Sequence, residues 1–373
     1  MINKQRLINQ FLELVQIDSE TGEETEIASV LKNIFTELGL EVVEDDAKEK
    51  TGFGANNLIC TLPANINAPS IYFTSHMDTV VPGKNVKPII EDDIIKTDGT
   101  TVLGADDKAG LATMIEVIHC LKEQNIPHGQ IQFVITVGEE SGLVGAKALD
   151  SSLIDAEFGF ALDSDGPVGD IIVAAPTQVK MLAKVRGKTA HAGVAPEKGV
   201  SAIKIAAKAI AKMPLGRIDE ETTANIGRFE GGQKTNIVCD YVEVLAEARS
   251  LSPDKVKKQA ATMETAFIDA ASQLGGKVEL DTEVMYTGFK LSASDHVVQV
   301  AEQAVKNIGR NSALQQSGGG SDANIISGFG IPTVNLAVGY EDIHTTNEKM
   351  PISELVKLTE LVIEIIKVVA NQA

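Results

Sequence analysis

Leu7, Phe11, Leu14 and Val15 recur at helical spacing, and a second helix from about Glu23 to Leu38 stops at Gly39, as a glycine C-cap would stop it. Apolar runs of strand length then alternate with helical stretches. "SIYFTS" (70–75) leads into His76, and "IQFVITV" (131–137) leads into Gly138-Glu139-Glu140. "FGFALD" (158–163) finishes in an acid, and "PTVNLAV" (332–338) leads toward His344. Between the first two runs, Leu111, Ile115, Ile118 and Leu121 mark one side of a helix from about Lys108 to Gln124. Buried strands alternating with helices predict an α/β layer architecture, with a mixed, largely parallel sheet between helices.

The pattern changes after Pro176. "VKMLAKVRG", a Lys- and Ala-rich helical stretch from about Ser201 to Lys212, "YVEVLAEARS", a helix near Asp254 to Leu274, and "KVELDTEVMY" follow in turn. They predict a strand-helix-strand-strand-helix-strand set, a small α+β (ferredoxin-like) domain inserted into the larger one. The expected division is residues 1–176 and 290–373 for the larger domain and 177–289 for the insert. A chain of 373 residues also favours two domains over one.

Composition removes whole classes of function. A net charge of −19, 4% aromatic residues and no Trp leave neither a basic footprint nor a stacking surface for nucleic acid. Cys60, Cys120 and Cys239 are too few and too far apart for a disulfide framework or a cysteine metal site. The first residues, "MINKQRLINQFLELVQIDSETGEE", read as an amphipathic helix without the apolar core of a signal peptide. No apolar run approaches the roughly 20 residues that span a bilayer. A cytoplasmic protein with no membrane partner is expected.

The strand ends carry the candidate chemistry. In open α/β sheets ligands bind at the carboxyl ends of the strands, so residues distant in sequence converge on one crevice. His76 and Asp78, two apart at a strand end, suit a metal-ligating imidazole with a carboxylate held against its other ring nitrogen; alone, the pair is more often a structural or surface polar terminus. "LGADDKAG" (103–110) sets two acids at a helix start, where they serve as ligands or as caps. Glu139 and Glu140 follow a buried strand and can divide labour, one as metal ligand and one as general base. "SGGGSDANIISGFG" (317–330) joins glycine N–H groups to a helix start, a means of holding an anion or a plain flexible loop. His119, His128 and His296 read as structural or exposed.

"SHMDTV", "LGADDKAG", "TVGEESGLVGAKAL", "ALDSDG", "GKTAHAG", "SGGGSDAN" and "IHTTNEKM" stand in an order that resembles the aminoacylase and carboxypeptidase G type family of dinuclear zinc metallopeptidases. Within it the chain is most similar to the peptidase T (tripeptide aminopeptidase) branch, and the resemblance runs from "SETGEE" (19–24) to the carboxyl terminus. It implies two Zn²⁺, with Co²⁺ or Mn²⁺ as substitutes. His76 and Asp163 would bind one metal, Glu140 and His344 the other, and Asp106 would bridge them. Glu139 would be the general base and Asp78 would orient His76.

On the inserted lid domain, the resemblance implies that His191 stabilises the oxyanion, often from a dimer mate, and that Asn236 and Arg249 touch substrate. Arg249 would anchor a peptide carboxylate with bidentate donors. Gly319 and Gly320 belong to the implied substrate loop. There the branch carries an Arg before the glycines, whereas this chain has Gln315, Gln316 and Ser317.

The implied function is hydrolysis of short peptides, foremost as an aminopeptidase on tripeptides. An N-acyl amino acid deacylase or carboxypeptidase-type amidase uses the same site. A noncatalytic metal- or peptide-binding scaffold is the reading from another class, and the full set of ligands and base speaks against it. A homodimer through the lid/dimerisation domain is a further implication.

Overall fold

The computed structural model describes residues 2–372. The chain separates into two compact units. The first takes the chain up to Ala174, Leu291–Gln316, and everything from Ser321 onward; the second takes Ala175–Lys290 together with Ser317–Gly320.

In the first unit, the helix Lys4–Val15 buries Leu7, Ile8, Phe11, Leu14 and Val15, and the Asn3 side chain caps it by accepting from the Arg6 N–H. The helix Thr25–Glu37 is followed by Gly39 at φ +77°, the left-handed position that glycine tolerates best. The main sheet runs in the order Glu41–Glu44, Leu58–Leu62, Ile131–Thr136, Ile71–His76, Phe158–Ser164, Thr333–Ala337, Asp170–Ala175. Its four central strands, from Ile131–Thr136 to Thr333–Ala337, are mutually parallel. The flanking pairs are antiparallel, and Ala313–Gln316 adds a parallel strand beside Asp170–Ala175.

Ile71–His76 and Ile131–Thr136 are buried along their whole length, as strands covered on both faces must be. Phe73 lies between the rings of Phe133 and Phe160, with centroids 6.1 and 5.5 Å away. Parallel strands side by side bring their carboxyl ends to one edge. His76, Asp163 and the Glu139-Glu140 turn lie at those ends.

One helix departs from its periodicity. It spans Ala105–Glu123, with non-helical backbone at Asp106 and Asp107 so that its regular turns start at Lys108 as expected, but it is buried nearly all round instead of on the side marked by Leu111 and Ile115. The cause is its place, packed against the strand Ile71–His76 and the helices Lys4–Val15 and Ile352–Ala370. A small sheet of Lys349–Pro351, Ile94–Lys96 and Ile89–Glu91 is absent from the sequence expectations. Its strands are three residues each, too short to show a period, and Asp92 and Asp93 turn the hairpin at positive φ.

In the second unit, an antiparallel sheet runs Gly216–Arg217, Thr222–Gly231, Tyr241–Ser250, Thr177–Arg186, Lys277–Tyr286. Its four long strands, with the helices Ala202–Ile210 and Pro253–Leu274, make the ferredoxin-like α+β arrangement. Burial alternates residue by residue along Tyr241–Ser250, the signature of one buried face. Phe267, Met263, Val185 and Val244 fill the space between sheet and helices. Among the described residues no helix is long and apolar enough to cross a membrane.

Cys60 and Cys120 are buried free thiols, and Cys239 is partly exposed. Burial pushes the Cys60 thiol far up, and burial together with Glu116 pushes Cys120 up to about 12. Because the thiolate is the nucleophile, titration of the native protein with a disulfide reagent is expected to modify Cys239 at least about tenfold faster than the other two. Mass spectrometry of the modified peptides reads the order.

Candidate active site

His76 closes a fully buried strand, and its two ring nitrogens face different groups. Nε2 lies 3.0 Å from Asp106 Oδ1 and 3.7 Å from Asp163 Oδ1. Nδ1 lies 3.1 Å from the Asp78 carbonyl oxygen and 3.3 Å from Asp78 Oδ1. Asp78, itself fully buried, therefore sits on the far side of the ring from the other carboxylates. Its oxygens also accept from the N–H groups of Glu139 (3.0 Å) and Glu140 (3.3 Å) and from the Thr21 hydroxyl (2.7 Å). Burial opposes charge on Asp78, but His76, Thr21 and the Glu139 N–H outweigh it and hold the carboxyl below its usual range.

Asp106 stands at the start of its helix with non-helical backbone angles, and a cis peptide joins it to Asp107. While Oδ1 faces His76, Oδ2 lies 3.3 Å from His344 Nε2. His344 Nε2 is also 2.9 Å from Glu140 Oε2. One carboxylate thus meets two imidazoles with opposite oxygens. The donor atoms of His76, Asp106 and Glu140 lie within 4.8 Å of one another, as do those of His76, Glu139 and Asp163.

Asp163 is fixed from behind. Asn335 accepts from the Asp163 N–H (3.0 Å) and donates to its carbonyl (2.6 Å), and the Tyr340 hydroxyl donates to Asp163 Oδ1 (3.3 Å). Glu348 takes three backbone N–H groups ahead of and at Asp106, from Leu103, Gly104 and Asp106.

Negative charge is in excess here. Burial, with Asp163 as neighbour, raises Glu139 well above the usual carboxyl range, and burial raises Asp163 to about 7 and Asp322 to about 6. Hydrogen bonds to Asp106 and Glu140 raise His344 to about 10. Burial works against a charged His76, but its bonds to Asp106, Asp163 and Asp78 prevail and raise it well above normal. Each of these protons offsets carboxylate repulsion. Divalent cations would offset it equally, and two imidazoles with four carboxylates are an N/O donor set suited to Zn²⁺, Co²⁺ or Mn²⁺. The residues fit a two-metal centre.

Residues 72–368 match the peptidase family M20/M25/M40. The chain belongs to this family. It is similar along its whole length to YqjE of Bacillus subtilis strain 168, at 66% identity over 371 residues with 100% of each chain covered. The crystal structure of aminopeptidase PepT from Bacillus cereus superposes with a TM-score of 0.93 at 66% identity over 99% of each chain. That of a tripeptidase from Staphylococcus aureus superposes at 0.97 with 59% identity over 100% of each chain.

This M20/M25/M40 peptidase is a metal-dependent hydrolase, and its first unit brings together His76, Asp78, Asp106, Glu139, Glu140, Asp163 and His344. His191, Asn236, Arg249, Gly319 and Gly320 belong to the second unit. There His191 forms a backbone bridge with Ile237, and the Ala192 N–H donates to the Asn236 carbonyl, so the His191 and Asn236 segments run side by side. Arg249 is largely engaged. Its Nε and Nη2 donate to Glu247 at 3.0 and 3.1 Å, and its Nη1 donates to the Gly318 carbonyl and the Tyr286 hydroxyl at 3.3 and 3.4 Å. A Cβ on Gly320 would meet the Tyr286 ring at 2.4 Å, so any other residue here would displace that ring.

Thr21, Asn335, Tyr340 and Glu348 also shape the site and carry no sequence signal of their own. Lys108, read only as a helix-start residue, is 1% exposed, and burial lowers its pKa.

The raised groups set a pH dependence. Asp163 holds a proton up to about pH 7 when folded, against an ordinary value of 3.8. Its contribution is therefore present below the unfolded pKa and lost as pH rises through about 7. His344, raised to about 10, contributes stability present below 6.5 and lost as pH rises through about 10. Protein stripped of divalent ions with a chelator is expected to lose thermal stability from about pH 5 to about pH 9, with excess Zn²⁺ removing most of the loss. Differential scanning calorimetry across that range checks the sign.

Proposed function

We propose that this M20/M25/M40 peptidase is a dinuclear zinc aminopeptidase that removes the amino-terminal residue of tripeptides in the cytoplasm. The observation that carries the reading is Asp106, whose Oδ1 faces His76 and whose Oδ2 faces His344. That arrangement suits a bridging ligand, with Asp163 completing the His76 side and Glu140 the His344 side. Similarity over full length to an aminopeptidase PepT and to a tripeptidase supports the choice of substrate.

Bound divalent cations supply Lewis-acid polarisation of a peptide carbonyl and of the attacking water. The protein's own part is proton transfer and alignment. Glu139, buried at the carboxyl end of a strand, takes a proton from the water and delivers it to the leaving amine nitrogen. Its raised pKa suits that cycle, because a base that must also act as an acid works best near the ambient pH. Asp78 holds the His76 ring by the Nδ1 side and leaves Nε2 free for metal.

His191 and Asn236 then serve the oxyanion and the peptide backbone. Arg249 with Gly319 and Gly320 receives the carboxylate end, and a homodimer forms through the second unit. The Arg249 pairing with Glu247 orients the guanidinium, so a carboxylate ligand would share it with Glu247.

Trialanine, dialanine and N-acetyl-alanine assayed side by side separate the alternatives. Turnover of trialanine at least about tenfold above the others is expected, and turnover of only the acylated compound would leave a deacylase in its place. Glu139→Ala is expected to retain the wild-type metal content while kcat falls by about 10²–10⁴. A Glu139→Ala protein that loses a metal equivalent would make Glu139 a ligand instead. His344→Ala is expected to bind one equivalent of Zn²⁺ fewer than wild type in equilibrium dialysis.

A further inference from the structure

Asp106 and Asp107 carry non-helical backbone angles, so the regular turns of the helix Ala105–Glu123 begin at Lys108, where Asp107 Oδ1 accepts the Gly110 N–H at 3.1 Å as a local cap. The segment ahead of Lys108 turns through Gly104, at φ +73° and with no side chain to offer. Buried N–H groups in such a segment need an acceptor, and a neighbouring acid is one remedy. Asp106 is such an acid, yet its oxygens face His76 and His344 instead.

The missing acceptor comes from the far end of the chain. Glu348, 2% exposed, receives the N–H groups of Leu103 and Gly104 on Oε2, each at 2.8 Å, and that of Asp106 on Oε1 at 3.0 Å. The turn that bears Glu348 also bears His344. The Thr345 hydroxyl donates to the Asp342 carbonyl, the Asn347 N–H donates to the Thr345 hydroxyl, and the Glu348 N–H donates to the Thr345 carbonyl. His344 within it sits at φ +59°, a backbone held by the turn around it.

We propose that Glu348 is a positioning residue: it pins the backbone N–H groups of Leu103, Gly104 and Asp106 in the non-helical segment ahead of the helix, which holds the Asp106 carboxylate toward the metal site and sets its distance from His344. The inference rests on the reading of Asp106 as a bridging ligand. A carboxylate suits the task because all three partners are donors and it only accepts. Glutamine would turn an NH₂ toward at least one backbone N–H. Aspartate keeps the charge but falls one methylene short.

The test uses full-length Glu348→Gln and Glu348→Asp beside wild type. Glu354→Gln is the control, because Glu354 is a carboxylate away from the metal site that accepts from Val168 N–H and Arg310. The readouts are Zn²⁺ equivalents by equilibrium dialysis, the visible spectrum of the Co²⁺-loaded protein, and kcat and KM on trialanine. Glu348→Gln is expected to bind its second Zn²⁺ about 10- to 100-fold more weakly. Its Co²⁺ spectrum is expected to change, and its kcat to fall at least about tenfold with KM within about threefold.

Glu354→Gln is expected to lower thermal stability and leave the Co²⁺ spectrum as in wild type. Should Glu348→Gln not fold, the same spectral and affinity criteria apply to Glu348→Asp. A wild-type spectrum and wild-type second-metal affinity in the folded variant overturn the inference, whatever happens to kcat. A wild-type protein that itself binds fewer than two equivalents overturns the dinuclear reading instead.

Discussion

Four carboxylates, from Asp106, Glu139, Glu140 and Asp163, are held in a largely buried pocket, and their mutual repulsion is the constraint around which the first unit is organised. Burying a charge is costly unless something pairs with it. Three of the four are pushed toward the protonated form; only Asp106, flanked by two imidazoles, is held ionised. The parallel centre of the sheet makes the crowding unavoidable, since it delivers several strand ends to one edge. A site that concentrates negative charge in this way is built for cations. The same crowding leaves a carboxylate such as Glu139 basic enough to move a proton.

Two acids outside the presumptive ligand set keep this arrangement rigid by the same means. Asp78 collects the N–H groups of Glu139 and Glu140, and Glu348 collects those of Leu103, Gly104 and Asp106. In both cases the backbone of a catalytic loop is tied down by an acceptor remote in sequence. The side chains on that loop are then free to face the site. Asn335 does the same for Asp163 with an amide, which can both accept and donate.

The strand runs that end in His76, Glu139-Glu140 and Asp163 are legible in the sequence because continuous apolar stretches break abruptly into chemistry. The alternation in Tyr241–Ser250 shows equally well, since one buried face imposes a period of two. Other features depend on partners that no local pattern encodes. The kink ahead of Lys108, with non-helical angles at Asp106 and Asp107, leaves no trace in the periodicity. Glu348 acts on residues 242 to 245 positions away, and Thr21 on one 57 positions away. Tyr340 reads as an ordinary aromatic near a loop until its hydroxyl is placed on Asp163. The hairpin Ile89–Lys96 is too short for periodicity to register.

The short segment Ser317–Gly320, grouped with the second unit although the residues on both sides belong to the first, bears on how that unit can be handled as a part. A gene fragment spanning only Ala175 to Lys290 would omit the carbonyl to which Arg249 donates and the glycine packed on the Tyr286 ring. The insert is therefore not a self-contained cassette. Exchange of this unit between relatives would transfer its full set of internal contacts only if those four residues, encoded far downstream, travelled with it.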